Sequence, residues 1–318
     1  MKVCLLAGGT GGAKLAAGLA DLIGSDLAVI ANSGDDVDVH GVRVSPDPDL
    51  ITYWLAGEID EARGWGIRED TFEAHAQLAR IGAPDWFSLG DRDLATCLYR
   101  THFIAEGGTA TAAQAQIAAA LGVEAAVLPM TEASVRTFVE TPAGRRSIQE
   151  FLILDHGEAE IRGIAVEGLE GATTTPEVEA AIDAADAIVI GPSNPVLSIG
   201  PILAIAPIRE RIERSGAPVI AVSPLVGGRS VKGPTEACLR AIGREVSAAG
   251  VASLYASLAD AVVVDSSDPE PEVPGVRTRL TDTLMEGPAG RAALARDVLD
   301  LAAELGGGGP TGLPPIAD

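Results

Sequence analysis

The chain has 318 residues, of which 47% are hydrophobic and only 3% aromatic, and its formal net charge is −22. So strong a negative charge argues against non-specific binding to nucleic acid or to an anionic membrane, and no apolar run is long enough to span a bilayer. The three cysteines, Cys4, Cys97 and Cys238, lack metal-ligand spacing, and no signal peptide precedes the first predicted strand. A reduced, cytoplasmic compartment is therefore expected.

The first residues predict a phosphate site. Met1–Ala7 has the pattern of a buried strand and leads into a glycine-rich turn, residues 8–14, and then an apolar helix. Such a turn presents backbone N–H groups at the positive end of a helix, which suits a phosphate. The turn is no Walker loop, because Ala13 precedes Lys14, and it has Lys14 where a dinucleotide fingerprint needs glycine. A tight packing turn is the alternative. The candidate ligands are Gly9, Thr10, Gly11, Gly12 and Lys14.

Carboxylates gather after the second predicted strand, Leu27–Ala31. The acidic segment Asn32–Gly41 and the following Ser45–Asp49 contain five such residues, which are Asp35, Asp36, Asp38, Asp47 and Asp49. Asp49 alone could simply cap the helix predicted to start near Leu50. Crowded like charges favour a shared cation, however, so a divalent metal or a polar nucleoside group is the functional interpretation.

Residues 49–106 show helical periodicity and hold most of the aromatic side chains. We interpret them as a helical insertion that covers a ligand crevice. Within it, Ser88–Asp93 opens a helix from which Arg92 could point at a phosphate, the alternative being a solvated helix start.

The rest of the chain alternates short apolar runs with helical patterns, which predicts a doubly wound, mostly parallel Rossmann-like α/β sheet. Two of the predicted helices are Ile202–Ser215 and Thr235–Ala249. Residues 135–167 break this rhythm and predict a small β meander, with strands at 135–139, 151–154 and 161–166. We expect one domain over residues 1–305 and a disordered Gly- and Pro-rich tail over 306–318.

Two more polar turns follow predicted strands, at the sheet edge where open α/β proteins bind ligands. The first contains Ser193 and Asn194. The second runs from Ser223 to Pro234 and contains Gly227, Gly228, Arg229 and Lys232, which predicts an anion-binding loop. Ordinary strand-to-helix loops are the alternative.

Taken together, these motifs resemble the CofD family, the 2-phospho-L-lactate transferases of coenzyme F420 biosynthesis. The matching segments are residues 8–14, 32–41, 45–49, 89–93, 191–203 and 223–234, in family order. The resemblance implies a guanosine diphosphate ester as donor, bearing a lactyl or an enolpyruvyl group, and the deazaflavin Fo as acceptor. A hydroxyl of Fo attacks the phosphate that carries this group, GMP leaves, and Mg²⁺ is required.

The resemblance also implies roles for individual residues. Asp49 and Arg92 match positions associated with Fo and with catalysis, Asp36 and His40 are further acceptor contacts, and Asp49 and Asp36 are the expected metal ligands. The glycine turn, the Asn194 turn and residues 227–232 match positions around the GDP part. A homodimer is expected, and the sequence leaves lactyl and enolpyruvyl donors equally open.

Two other classes stay open at this point. A YvcK-like regulator that binds nucleotide sugars without catalysis has a D-D-G-G-S pattern, whereas this chain has Asp35-Asp36-Val37-Asp38-Val39. A Rossmann dehydrogenase is disfavoured by the broken glycine fingerprint.

Overall fold

The computed structural model describes residues 1–307. Its elements follow in this order: β1 Val3–Ala7, α1 Gly9–Ile23, β2 Leu27–Ala31, β3 Val37–Val39, β4 Val42–Val44, α2 Pro46–Leu55, α3 Glu73–Arg80, α4 Asp91–Ala105, α5 Ala110–Ala120, β5 Ala126–Pro129, β6 Arg136–Thr141, β7 Gly144–Ser147, α6 Ile148–Ile153, β8 Gly163–Glu167, α7 Pro176–Asp183, β9 Ala187–Ile190, α8 Gly200–Ala204, α9 Ile208–Ser215, β10 Val219–Val222, β11 Leu225–Val226, β12 Arg229–Ser230, α10 Thr235–Ala241, α11 Ala248–Tyr255, β13 Ala261–Asp265, β14 Arg277–Thr281 and α12 Gly287–Leu305.

Seven parallel strands form the central sheet, in the order β14-β13-β10-β9-β1-β2-β5. From β1 the chain winds outward through β2 to β5, and it then returns to the other side of β1 with β9 and winds to β14. The winding direction therefore reverses between β1 and β9. At such a switch point the two connecting loops leave on opposite faces and open a crevice at the carboxyl ends of the strands.

Helices cover both faces of this sheet, because successive side chains of a buried strand point to opposite sides. Val3 and Leu5 join a core with α1, α2 and α12. Cys4 and Leu6 join a second core with α7 to α11. The predicted doubly wound α/β fold is confirmed.

The segment between β2 and β5 carries most of the departures from a plain Rossmann pattern. It contains the antiparallel hairpin β3–β4 and the helices α2, α3 and α4. Residues 49–106 are thus mainly helical, with one isolated bridge between Ile59 and Ile67. The predicted tail, 306–318, lies almost wholly outside the described residues.

Three details differ from the sequence prediction. The second strand of the meander is β7, whereas residues 151–154 belong largely to α6, which starts with a capping box between Ser147 and Glu150. The single helix predicted over 202–215 is divided into α8 and α9, since Pro207 has no N–H group and disfavours a helical Ala206. The single helix predicted over 235–249 is divided into α10 and α11, with Gly243 at φ +69° between them.

One strand of the sheet, β14, was missed. It lies at the edge of the sheet and is partly exposed, so its sequence Arg-Thr-Arg-Leu-Thr lacks the apolar run of a central strand. Its two arginines pair with Glu304 of α12. Over the residues that the structure describes, none of the helices combines the length and the apolar character that crossing a bilayer requires.

The packing of α1 against α12 predicts a stability effect at Gly18. A Cβ atom there would lie 2.4 Å from the carbonyl oxygen of Arg291. Overpacking of this kind costs roughly 1–3 kcal/mol, while the helix gains only about 1 kcal/mol from alanine. We expect Gly18→Ala to lower the free energy of unfolding in urea. Gly171→Ala is the control, since nothing lies within 4 Å of its Cβ position; equal stability of the two variants would contradict the packing argument.

Candidate active site

A cavity of about 720 Å³ opens at the switch point and extends beneath the helical insertion. One half is formed by the turns after β1, β9 and β10. The other half is formed by the insertion and α6, and its aromatic wall consists of Tyr53, Trp65, Trp86 and Phe87. Of the sequence candidates, the cavity wall contains Gly9, Thr10, Gly11, Lys14, Asp49, Ser193, Asn194 and Lys232.

The turn after β1 begins helix α1 at Gly9, and the N-cap residue Gly8 has no side chain with which to cap it. The Gly8 N–H donates to Ser193 Oγ at 3.1 Å, and the Gly9 N–H donates to Asp47 Oδ1 at 2.7 Å. These bonds fix the turn, while Thr10 and Gly11 in the first helical turn line the cavity. The first-turn N–H groups that Ser193 and Asp47 do not bind lie at the positive end of a 15-residue helix and make an anion site.

Two lysines bring positive charge to this end of the cavity. Lys14 Nζ donates to the Met285 carbonyl at 3.3 Å, and Lys232 Nζ donates to the Gly64 carbonyl at 3.2 Å. Burial, and then the charge of Lys14, lower the pKa of Lys232. Neither ammonium forms an ion pair with a carboxylate within residues 1–307. Both charges are therefore available to an anionic ligand.

Two carboxylates face the same half of the cavity, and no cationic side chain within residues 1–307 pairs with them. Asn32 Nδ2 donates to Asp35 Oδ1 at 3.1 Å and to Asp47 Oδ2 at 3.0 Å, so this amide holds the two side chains together. Burial raises the pKa of Asp47 to about 6, and burial together with the Asp47 charge raises the pKa of Asp35. Two desolvated carboxylates that share one space are a donor set for a hard divalent cation.

The two expected metal ligands have cationic partners of their own. Both oxygens of Asp49 accept hydrogen bonds from the guanidinium of Arg100, and both side chains are buried. Asp36 lies outside the cavity wall and pairs with Arg43 at 2.9 Å and with the Ser45 hydroxyl. Asp49 also makes no N-terminal cap, because it is the fourth residue of α2. Asp49 does lie in the first turn of α2, but its carboxylate binds Arg100 and not a backbone N–H group.

The aromatic half contains an unforeseen acidic group. Arg92 points away from the cavity, pairs with Glu58 at 3.0 Å and is half exposed. Its neighbour Asp93 lines the cavity instead, and Tyr53 donates to its Oδ1 at 2.8 Å. Burial, and then the charge of Asp49, raise the pKa of Asp93 to about 7.

The remaining candidates lie outside the cavity wall. His40 is exposed in the β3–β4 turn at φ +51°. Gly227 and Gly228 form the tip of the β11–β12 hairpin, and their positive φ values explain the Gly-Gly pair as turn chemistry. Arg229 is the first residue of β12 and pairs with Val226. Gly12 is buried and packs on the Asn194 turn through Ser193.

Sequence reasoning missed Asp93 and Arg100, although a signal existed. The buried residues of α4 are Asp93, Cys97 and Arg100, which recur at the spacing of one helical face. Cys97 packs in an apolar cluster, but an aspartate and an arginine on the same inward face need polar partners in the interior. That pattern could have marked α4 as part of a site.

Comparisons with known proteins agree with this geometry. The model of the family described as 2-phospho-L-lactate transferase CofD matches residues 3–283. The chain belongs to the CofD family. It is therefore a transferase, and the resemblance drawn from its motifs is confirmed.

Individual CofD relatives match over nearly their whole length. A phosphoenolpyruvate transferase of Streptomyces griseus is 40% identical, with 96% of this chain and 99% of that protein covered. A 2-phospho-L-lactate transferase of Methanosarcina acetivorans is 37% identical, with 93% and 98% covered. A crystal structure of a UPF0052 family member from Bacillus halodurans has the same fold, with a TM-score of 0.62 at 17% identity over 93% of this chain and 99% of that one.

The buried Asp49–Arg100 pair predicts a pH-dependent loss of stability. Arg100 lowers the pKa of Asp49, which burial raises. Arg100→Met leaves that carboxylate without a counter-charge, so unfolding should become easier by about 3–5 kcal/mol at neutral pH. In this variant the pKa of Asp49 in the folded state lies further above its pKa in the unfolded state. The free energy of unfolding therefore falls as the pH rises from the unfolded pKa to the folded pKa. Urea unfolding should therefore show a smaller loss in the free energy of unfolding, relative to wild type, at pH 5 than at pH 8.

Arg92→Met is the matched control for this experiment. Arg92 is half exposed and its partner Glu58 is partly exposed, and surface pairs contribute about 0–1 kcal/mol. Equal losses in the two variants, or a deficit in Arg100→Met that does not vary with pH, would contradict a buried charge pair.

Proposed function

We propose that this CofD-family enzyme transfers a lactyl- or enolpyruvyl-bearing phosphoryl group from a guanosine diphosphate ester to the deazaflavin Fo, releasing GMP. The observation that carries the proposal is one continuous cavity that joins a cationic, glycine-lined half to an aromatic half. A diphosphate needs the first half and a planar heterocycle suits the second. Relatives named phosphoenolpyruvate transferase and 2-phospho-L-lactate transferase support the reaction class.

In this reaction the acceptor hydroxyl attacks the phosphorus that carries the lactyl or enolpyruvyl group. The bond from that phosphorus to the oxygen of the GMP phosphate breaks, its electron pair leaves with GMP, and the hydroxyl proton is released. Such a transfer depends on positioning and charge neutralisation more than on covalent chemistry. The α1 N-terminus, Lys14 and Lys232 would bind the diphosphate and neutralise it.

Magnesium fits this site better at Asp35 and Asp47 than at Asp49 and Asp36. The first two carboxylates face the cavity and have no cationic partner in the described part of the chain, whereas Asp49 and Asp36 already pair with arginines. Carboxylate oxygens are ligands that Mg²⁺ prefers. When bound, the ion would neutralise charge on the diphosphate.

The enzyme assay tests the proposed function directly. Purified protein is incubated with Fo, Mg²⁺ and either the lactyl or the enolpyruvyl diphosphoguanosine, and mass spectrometry follows the product while chromatography follows GMP. We expect transfer from at least one donor, and the product masses decide which. Stabilisation by UDP-sugars with no transfer from either donor would instead favour a nucleotide-sugar-binding regulator.

Donor binding should depend on the two cavity lysines. Lys14→Met and Lys232→Met each remove a cation that lines the anion site, and a lost charge-assisted contact costs roughly 1.5–3 kcal/mol. Calorimetric titration with GDP should therefore show weaker binding by about tenfold or more. Lys2→Met is the control, since Lys2 precedes β1 at the opposite edge of the sheet. Unchanged GDP affinity in both cavity variants would rule out this assignment.

The metal proposal has a readout that needs no turnover. Mg²⁺ should strengthen GDP binding to the wild-type protein, and Asp47→Asn should reduce that gain because a neutral amide replaces a carboxylate ligand. Asp38→Asn is the control, since Asp38 is exposed on the hairpin. The assignment fails if Mg²⁺ strengthens GDP binding to Asp47→Asn as much as to the wild type.

The homodimer stays a prediction. Static light scattering at micromolar concentration should give twice the chain mass, and a monomer mass would contradict it.

A further inference from the structure

The carboxylate of Asp93 is the best candidate in the molecule for a functional group that has no role so far. It lies on the inward face of α4, is 9% exposed and lines the aromatic half of the cavity. Neither the family resemblance nor the cation arguments above give it a role.

The position of this carboxylate is fixed from two sides. Tyr53 of α2 donates its hydroxyl to Oδ1 at 2.8 Å, and the carboxylate of Asp70 accepts the backbone N–H of Asp93 at 3.1 Å. The other oxygen, Oδ2, lies near Gly66, where an added Cβ atom would be 4.0 Å away. Within residues 1–307 no donor binds Oδ2. One acceptor site of a rigidly held carboxylate is therefore left for a ligand.

The distance along α2 decides between two roles. Asp47, which binds the glycine turn, and Tyr53, which binds Asp93, are six residues apart on this helix. At 1.5 Å per residue the separation along the axis is about 9 Å. Proton abstraction needs a base within hydrogen-bond reach of the attacking hydroxyl. Because Asp93 binds Tyr53 of the aromatic wall and not the Asp47 end of α2, its carboxylate suits recognition of the acceptor ring better than chemistry at the diphosphate.

We propose that Asp93 is a specificity-determining residue for the acceptor, with Oδ2 accepting a hydrogen bond from an N–H or O–H donor on the planar heterocycle held by the aromatic wall. This inference rests on the proposed function, since it takes Fo as the acceptor. Fo offers such donors in its pyrimidinedione N–H and its ring hydroxyl. A carboxylate in an apolar pocket discriminates strongly, because a ligand without the donor leaves the charge buried and unpaired.

Asp93→Asn is a sharper test than removal of the side chain. The Tyr53 hydroxyl needs an acceptor, so the amide oxygen of the variant would turn to Tyr53 and its NH₂ group would face the cavity. The NH₂ donor of the variant would then face the N–H or O–H donor of the ligand, so the two could not form a hydrogen bond. Ring recognition should be lost although the size of the side chain is unchanged.

The experiment measures the affinity for Fo by the fluorescence of the deazaflavin and, separately, the affinity for GDP by calorimetry. We expect Asp93→Asn to weaken Fo binding by about 10- to 100-fold, the range of a charge-assisted hydrogen bond, while GDP affinity stays within twofold. In the transfer assay the KM for Fo should rise by a similar factor, with kcat at saturating Fo within a few-fold of wild type. A structural defect would lower both affinities together.

Asp91→Asn is the matched control on the same helical turn. Its carboxylate accepts hydrogen bonds from Thr71, Glu73 and Ala74 on the exposed side and does not line the cavity. Fo affinity should be unchanged in this variant. Folding is checked by melting at pH 8. Because burial raises the pKa of Asp93 to about 7, its ionisation penalises the folded state there, so Asp93→Asn should melt no lower than wild type.

A deazaflavin without the ring hydroxyl identifies the donor. If the hydroxyl contacts Asp93, this analogue should bind wild type and Asp93→Asn equally weakly. If instead the ring N–H contacts Asp93, the change Asp93→Asn should weaken binding of the analogue by the same factor as binding of Fo. Fo affinity in Asp93→Asn equal to that of wild type overturns the inference. A wild-type protein that does not bind Fo overturns the proposed function instead, so the two failures are distinguishable.

Discussion

The close approach of two turns, one after β1 and one after β9, is the constraint on which the site depends. A Cβ atom on Gly11 would lie 2.2 Å from the carbonyl oxygen of Pro192, and one on Gly12 would lie 2.6 Å from Ser193 Oγ. Only glycine lets these backbones meet. Their contact brings the N-terminus of α1 and the Asn194 turn to one crevice at the switch point of the sheet.

Charge in this strongly acidic chain is arranged in two layers around that crevice. Asp49 and Arg100 neutralise each other in the protein interior, where an isolated charge would be very unfavourable. Asp35 and Asp47 face the cavity with only an amide between them. The Asp49–Arg100 pair holds its part of the cavity wall in place, and Asp35 and Asp47 keep the capacity to bind a cation. The same acidic segment thus serves folding and ligand binding with different residues.

Local patterns predicted much of this arrangement. The apolar runs of β1, β2, β9, β10 and β13 predicted a parallel sheet, because strands buried on both faces must be hydrophobic throughout. The glycine turn and the Asn194 turn were found because their chemistry is local. The edge strand β14 was missed because solvent permits polar residues on it, and α6 was predicted as a strand because short apolar runs suit either state.

The sequence by itself determined the fold class, the family, the glycine turn and the presence of an acidic cluster, since each depends on neighbouring residues or on a period along the chain. Only the tertiary structure decided which of the polar side chains in these segments face the ligand. It directs Arg92 outward to Glu58 and Asp93 inward, and it pairs Asp49 with an arginine 51 positions away. Adjacent residues on a helix point about 100° apart. The packing of α4 against β4 and α5, not the order of residues, therefore selects the side chain that meets the cavity.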